Sequence, residues 1–73
     1  MEKVPIKRIK NPSHRRSRLT EIRRIANDLK TENDLDDYPI IVNRRTNIVI
    51  DGLIRLEAAR MKGWKTIPVE YCD

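Results

Sequence analysis

The spacing of apolar residues changes several times along the chain, and each change marks an element. Val4 and Ile6 alternate with polar neighbours and the pattern then shifts to Ile9. This predicts a short strand from Val4 to Ile9. Pro5 cannot donate a ladder hydrogen bond, so the strand belongs at a sheet edge. Asn11-Pro12-Ser13 is a turn signal. Leu19, Ile22, Ile25, Ala26 and Leu29 then fall at helical spacing, with Arg18, Glu21, Arg23, Arg24 and Asp28 opposite. Ser17 is a better N-cap candidate than Thr20, which would leave Leu19 outside the helix. After a polar, acidic stretch comes Tyr38-Pro-Ile-Ile-Val42, a nearly continuous β-branched run that reads as a strand buried on both faces. Residues 43–47 are a polar turn and Ile48-Val-Ile50 is a second strand, so residues 38–50 form a hairpin. A second helix runs from about Gly52 to Lys62. Ile54, Ala58 and Met61 share one of its faces, and Leu56 and Ala59 an adjacent one. Asp51 is its predicted N-cap and Gly63 its stop. Trp64 packs the corner, and Thr66 to Tyr71 is the last strand.

The element order is β-α-β-β-α-β. It predicts an α+β domain spanning 1–73, with a small mixed sheet and two helices. At 73 residues, such a domain buries only roughly 60% of its unfolded surface. A homodimer or a bound ligand would add stability, and both stay open. The one cysteine, Cys72, excludes an internal disulfide and a cysteine-based zinc cluster. His14 has no partner at ligand spacing, and Asp34, Asp36 and Asp37 lack the glycine and glutamate of a calcium loop, so no metal site is predicted. No apolar run reaches transmembrane length and no signal peptide precedes the first strand. A cytoplasmic location and no membrane partner are therefore expected.

Charge changes the picture more than composition does. The net charge is +5, but residues 1–30 hold ten Lys/Arg against three Asp/Glu (+7), and residues 31–73 hold six against eight (−2). This asymmetry points to a basic face and an anionic partner on the N-terminal half. The bland alternative is a solvated, charge-rich helix.

Candidate chemistry lies where a strand feeds the second helix. Asp51, Gly52 and, three residues on, Arg55 stand there. A glycine at such a turn lets backbone approach a ligand. The helix start offers unpaired N–H groups with a partial positive charge. Arginine adds a forked, charged donor. Together they suit an anion, with phosphate first among the candidates. The competing readings are structural. Asp51 serves as a cap, Gly52 serves a positive φ or close packing, and Arg55 pairs with Asp51, Glu57 or the acidic loop.

The chain resembles the ParB/sulfiredoxin superfamily. The matching features are Ile9 with Asn11-Pro12, the basic residues Arg15 to Arg18, Pro39-Ile-Ile-Val42, Asp51-Gly-Leu-Ile-Arg-Leu-Glu-Ala-Ala59, Gly63-Trp64 and Ile67-Pro-Val69. They cover almost the whole chain in order. The resemblance implies a fold whose G-x-x-R turn binds nucleotide phosphates. In the partitioning proteins that turn reads G-E-R-R and takes part in binding cytidine triphosphate. In sulfiredoxins it reads G-C-H-R with a catalytic cysteine, and related small-molecule kinases use an acidic residue nearby. Carried over, Gly52 and Arg55 match, and the family's basic element falls on Arg15, Arg16 or Arg18.

The departures narrow the expectation. Leu53 and Ile54 fill the two middle positions, and leucine is neither nucleophile, base nor ligand, so the sulfiredoxin reaction is excluded there. The helix-turn-helix and dimerisation modules of full-length partitioning proteins are not in this sequence. The expected function is phosphate binding, of a nucleotide or of nucleic acid, in a DNA-associated process of partition or regulation type. The phosphate-binding residues would be Asp51, Gly52, Leu53 and Arg55. Arg15, Arg16, Arg18 and Arg23 would give further phosphate or nucleic-acid contacts. No catalytic residue is assigned. The candidate cofactor is a nucleoside triphosphate with magnesium, and the candidate partners are nucleotide and DNA. A phosphoryl-transfer or nuclease-type enzyme using Asp51, and a ligand-free interaction module, are the alternatives.

Overall fold

The structure is a computed structural model that describes residues 2–13, 18–30, 35 and 38–73. Its elements are strand β1 (Glu2–Pro5), helix α1 (Leu19–Asp28), strands β2 (Ile40–Asn43) and β3 (Val49–Asp51), helix α2 (Leu53–Met61) and strand β4 (Thr66–Cys72). The four strands form one mixed sheet in the order β1-β4-β2-β3. β4 pairs antiparallel with β1 and parallel with β2, and β2 pairs antiparallel with β3. This is the predicted α+β architecture.

β1 is an edge strand, as Pro5 requires, but it ends at that proline. Ile6–Arg8 is a 3-10 turn rather than strand, closed by the Ile9 amide donating to the Ile6 carbonyl (3.0 Å). The shift of the apolar pattern at Ile9 has its cause here: the turn lets Val4, Ile6 and Ile9 all face the core. Lys10 then forms an isolated parallel bridge with Ile48 beyond the turn.

α1 starts at Leu19, two residues after the expected cap Ser17. Arg18 occupies the N-cap without a side-chain cap bond, and Ser17 lies outside the described residues. Leu19 is helical yet 53% exposed, while Ile22, Ala26 and Leu29 are buried. The apolar face is therefore shorter at its N-terminal end than the sequence spacing suggests.

β2 also starts later than expected. Its burial alternates, with Ile40 and Val42 fully buried and Ile41 and Asn43 only partly so. One face of β2 therefore meets the core, and the expectation of burial on both faces fails. Tyr38, placed in the strand by sequence, is outside it and 63% exposed. The residue before a proline is pushed to extended backbone whether or not a ladder exists, so Tyr38-Pro39 could imitate a strand start. The hairpin holds as predicted. Asn43 Oδ1 accepts from the amides of Arg45 (2.8 Å) and Thr46 (3.2 Å), and Asn47 takes φ 62° to complete the turn.

α2 ends as expected. The Gly63 amide donates to the Arg60 carbonyl and the Trp64 amide to that of Ala59, a Schellman closure with Gly63 at φ 76°. Its two expected faces are buried unequally. Leu56, Ala58 and Ala59 are fully buried, whereas Ile54 is half-buried and Met61 is 45% exposed. Trp64 is half-buried and packs on the core. Lys62 Nζ donates to the Ala26 carbonyl (3.2 Å), setting a cation at the negative end of α1. Among the described residues, no helix is long and apolar enough to cross a membrane.

Candidate functional site

The turn between β3 and α2 is built by Gly52. Asp51 ends β3, opposite Ile41, and the chain then reverses into the helix within one residue. Gly52 does this at φ 91°, a left-handed conformation that side chains resist. A Cβ there would also sit 3.3 Å from Ile40 Cγ1 and 3.4 Å from Ile40 Cα. The two structural explanations for the glycine therefore both hold.

The helix that follows is uncapped by any side chain. Asp51 was the predicted N-cap, but Gly52 holds that position and makes no side-chain cap bond. Asp51 is displaced because it stays in the ladder for one more residue, and its side chain is exposed. The first intrahelical bond runs from the Leu56 amide to the Gly52 carbonyl (3.1 Å). The amides of Leu53, Ile54 and Arg55 thus precede the first i to i−4 bond. No acid stands in this first turn, where a negative charge would be stabilising.

Arg55 instead brings a positive charge to the positive end of the helix. Its guanidinium carbon lies 5.3 Å from the Tyr38 ring centroid, within cation–π range. Among the described residues no carboxylate pairs with it. Of the expected alternatives, Glu57 instead accepts from Asn11 Nδ2 (3.3 Å). Tyr38 is a neighbour that sequence reasoning missed, because the apolar run drew it into the strand.

A second missed network ties the chain before the basic stretch to α2. Arg60 donates one guanidinium N–H to Asn11 Oδ1 and another to the Ile9 carbonyl (2.8 Å). With Glu57, it clamps the Asn11-Pro12 turn to the helix. The sequence signal was Glu57 and Arg60 at i, i+3 spacing, one helical face able to hold both ends of an asparagine amide.

The remaining candidates are split. Arg18 stands exposed at the start of α1 and Arg23 on its solvent side. Arg15 and Arg16 lie outside the described residues. Gly52, Leu53 and Arg55 are brought together at one helix end, with Asp51 just outside it. No described contact joins that end to Arg18 or Arg23. Among the described residues there is no group of three or more His, Cys, Asp or Glu able to hold a metal ion.

A solved structure of the C-terminally truncated chromosome-partitioning protein ParB from Caulobacter crescentus, complexed to the centromeric parS site, matches the whole chain with a TM-score of 0.75 at 21% identity. This chain has a ParB-like fold. The ParB-like chain spans 39% of that partitioning protein. Over 42 residues, 58% of its length, it is 48% identical to the transcriptional regulator NovG of Streptomyces niveus, and it spans 13% of that protein. No family model matches the chain.

Proposed function

We propose that this ParB-like domain works in a DNA-associated process and binds phosphate, of a nucleotide or of nucleic acid, at the start of α2. The observation that carries the reading is the chemistry of that helix end. Free amides at Leu53 and Ile54, no side-chain cap, no acid in the first turn and, among the described residues, no carboxylate paired with Arg55 leave positive charge there. An arginine there costs stability in the absence of an anion and gains it with one. Gly52 brings the backbone close, Leu53 contributes its N–H, and Asp51 borders the site. Arg15, Arg16, Arg18 and Arg23 would supply further neutralisation, consistent with the +7 balance of residues 1–30.

DNA association draws on the two similar proteins, one solved with its parS site and one a transcriptional regulator. A nucleoside triphosphate would be held through its phosphates by the Leu53 and Ile54 amides and the Arg55 guanidinium, with magnesium supplying charge neutralisation. An enzyme using Asp51 gains no support from the geometry, since among the described residues no group of three or more His, Cys, Asp or Glu stands ready to hold a metal ion.

The test is a titration of the chain with nucleoside triphosphates, with and without magnesium, and with duplex DNA across a salt series, followed by amide shifts. Shifts centred on Asp51 to Arg55, lost in a folded Arg55→Ala variant, support the site. Equal affinity in that variant refutes the assignment. No response to any nucleotide or to DNA at low salt refutes phosphate binding and leaves a pure interaction module.

A further inference from the structure

A separate concave surface lies at the other end of α2. From Gly52 to Arg60 the helix axis advances roughly 12 Å, so this surface is distinct from the phosphate site. It is a groove of about 740 Å³ lined by residues from two segments. One wall is the end of β1 and the following turn, with Pro5, Ile6 and Lys7. The other is the stretch after α2, with Trp64 and Lys65, and Arg60 stands between them. The Ile6 amide donates to the Lys65 carbonyl (2.9 Å), which ties the walls together at their base.

The lining joins two kinds of chemistry. Pro5, Ile6 and Trp64 give an apolar floor, and Lys7, Arg60 and Lys65 give a cationic rim. Among the described residues no carboxylate lines it. Arg60 is held in place by Asn11 and the Ile9 carbonyl, so its charge is fixed. Lys7 and Lys65 are exposed, and among the described residues neither has a carboxylate partner. The volume suits one or a few side chains, since ligand clefts run from about 300 to 1,000 Å³.

We propose that this groove binds a short acidic protein segment that places one apolar side chain against Trp64 and its carboxylates on Lys7, Lys65 and Arg60. Two observations favour a protein segment over a nucleic-acid strand. Trp64 is half-buried and packed on the core, which makes it a wall. A bound strand of nucleic acid needs successive stacking rings along a basic track, and this lining has one ring. β1 is also an edge strand that ends at Pro5 inside the groove, so an extended segment added along that edge leads into it.

Trp64 is the one tryptophan of the chain, so its emission reports the groove directly. The chain is titrated with a short peptide of Asp and Glu carrying one central leucine. A Lys-substituted peptide and a single-stranded oligonucleotide serve as controls. The expected result is a saturable change in Trp64 emission with the acidic peptide alone. It should weaken with salt and lose roughly tenfold or more in affinity in a folded Lys7→Glu/Lys65→Glu variant, since each pair becomes a repulsion. The proposal is overturned by a flat titration with the acidic peptide. It is equally overturned by unchanged affinity in the double variant, or by tighter Trp64-detected binding of the oligonucleotide.

Discussion

The guanidinium of Arg55 lies over the ring of Tyr38, and no described carboxylate competes for it. The pair links the first turn of α2 to the residue just ahead of Pro39 and β2. An arginine that rests on a ring keeps its N–H groups available at the ring's edge, whereas one locked in a bidentate ion pair does not. The contact therefore orients the side chain without neutralising it.

The stability contribution of that contact should be small. Tyr38 is 63% exposed, and exposed cation–π pairs contribute about 0.5–1 kcal/mol. Tyr38→Ala should unfold at only slightly lower urea concentration than the parent, and Arg55→Ala, which also removes a positive charge from the positive end of α2, should change the midpoint little. Their double-mutant cycle should return a coupling of that size. A coupling indistinguishable from zero would mean that the ring does not hold Arg55.

The two glycines should respond unequally to alanine. Both have positive φ, a conformation that costs an L-residue about 1–2 kcal/mol. Gly63 has open space where a Cβ would go, whereas Gly52 faces Ile40 at 3.3 Å. Gly63→Ala should therefore cost about 1 kcal/mol and Gly52→Ala about 2–3 kcal/mol, since the new methyl must displace a core strand. Equal midpoints in chemical denaturation would contradict the close approach.

On α2, Leu56 is fully buried and Met61 is 45% exposed. Leu56→Ala should cost about 2–5 kcal/mol, a large part of the stability of a domain this small. Met61→Ala should change it by no more than about 0.5 kcal/mol. Thermal unfolding monitored by circular dichroism checks this order, in which Met61 is dispensable although helical spacing puts it on one face with the buried Ala58.

Arg60→Lys keeps the charge but loses the fork that reaches Asn11 and the Ile9 carbonyl together. It should cost about 1 kcal/mol, the net value of a hydrogen bond. It should also raise hydrogen exchange at the amides of residues 9–11 while leaving those of β2 unchanged. Protection unaltered at residues 9–11 would show that the Asn11-Pro12 turn is held by other contacts.

Much of this fold could be read from the residues because local and global signals agree. Asn43 and Asn47 fit their turn, Gly63 fits a helix stop, and the β-branched run fits an interior strand. The failures fall where tertiary contacts override spacing. Asp51 looks like a cap in isolation, but pairing with β2 keeps it in the strand and moves the cap to Gly52 and the helix start to Leu53. Tyr38 looks like a strand residue because apolar runs carry no information about where a ladder begins. The candidate site was legible as a motif, Gly52 and Arg55 at fixed spacing. Its surroundings were not, since the Tyr38 ring and the Asn11 clamp are brought in by residues far apart in sequence.

The position of β4 in the sheet has a consequence for how the chain folds. It is the latest element in sequence, yet it lies between β1, the earliest, and β2. Until residues 66–72 are in place, β1 has no strand to pair with and β2 has its hairpin partner alone. During synthesis the hairpin and the helices can form in sequence order, but the sheet closes only after its last strand leaves the ribosome. Folding should thus be a late, concerted event. A chain cut just before Thr66 should yield a hairpin beside an orphaned first strand, with no smaller version of the domain between that and the whole.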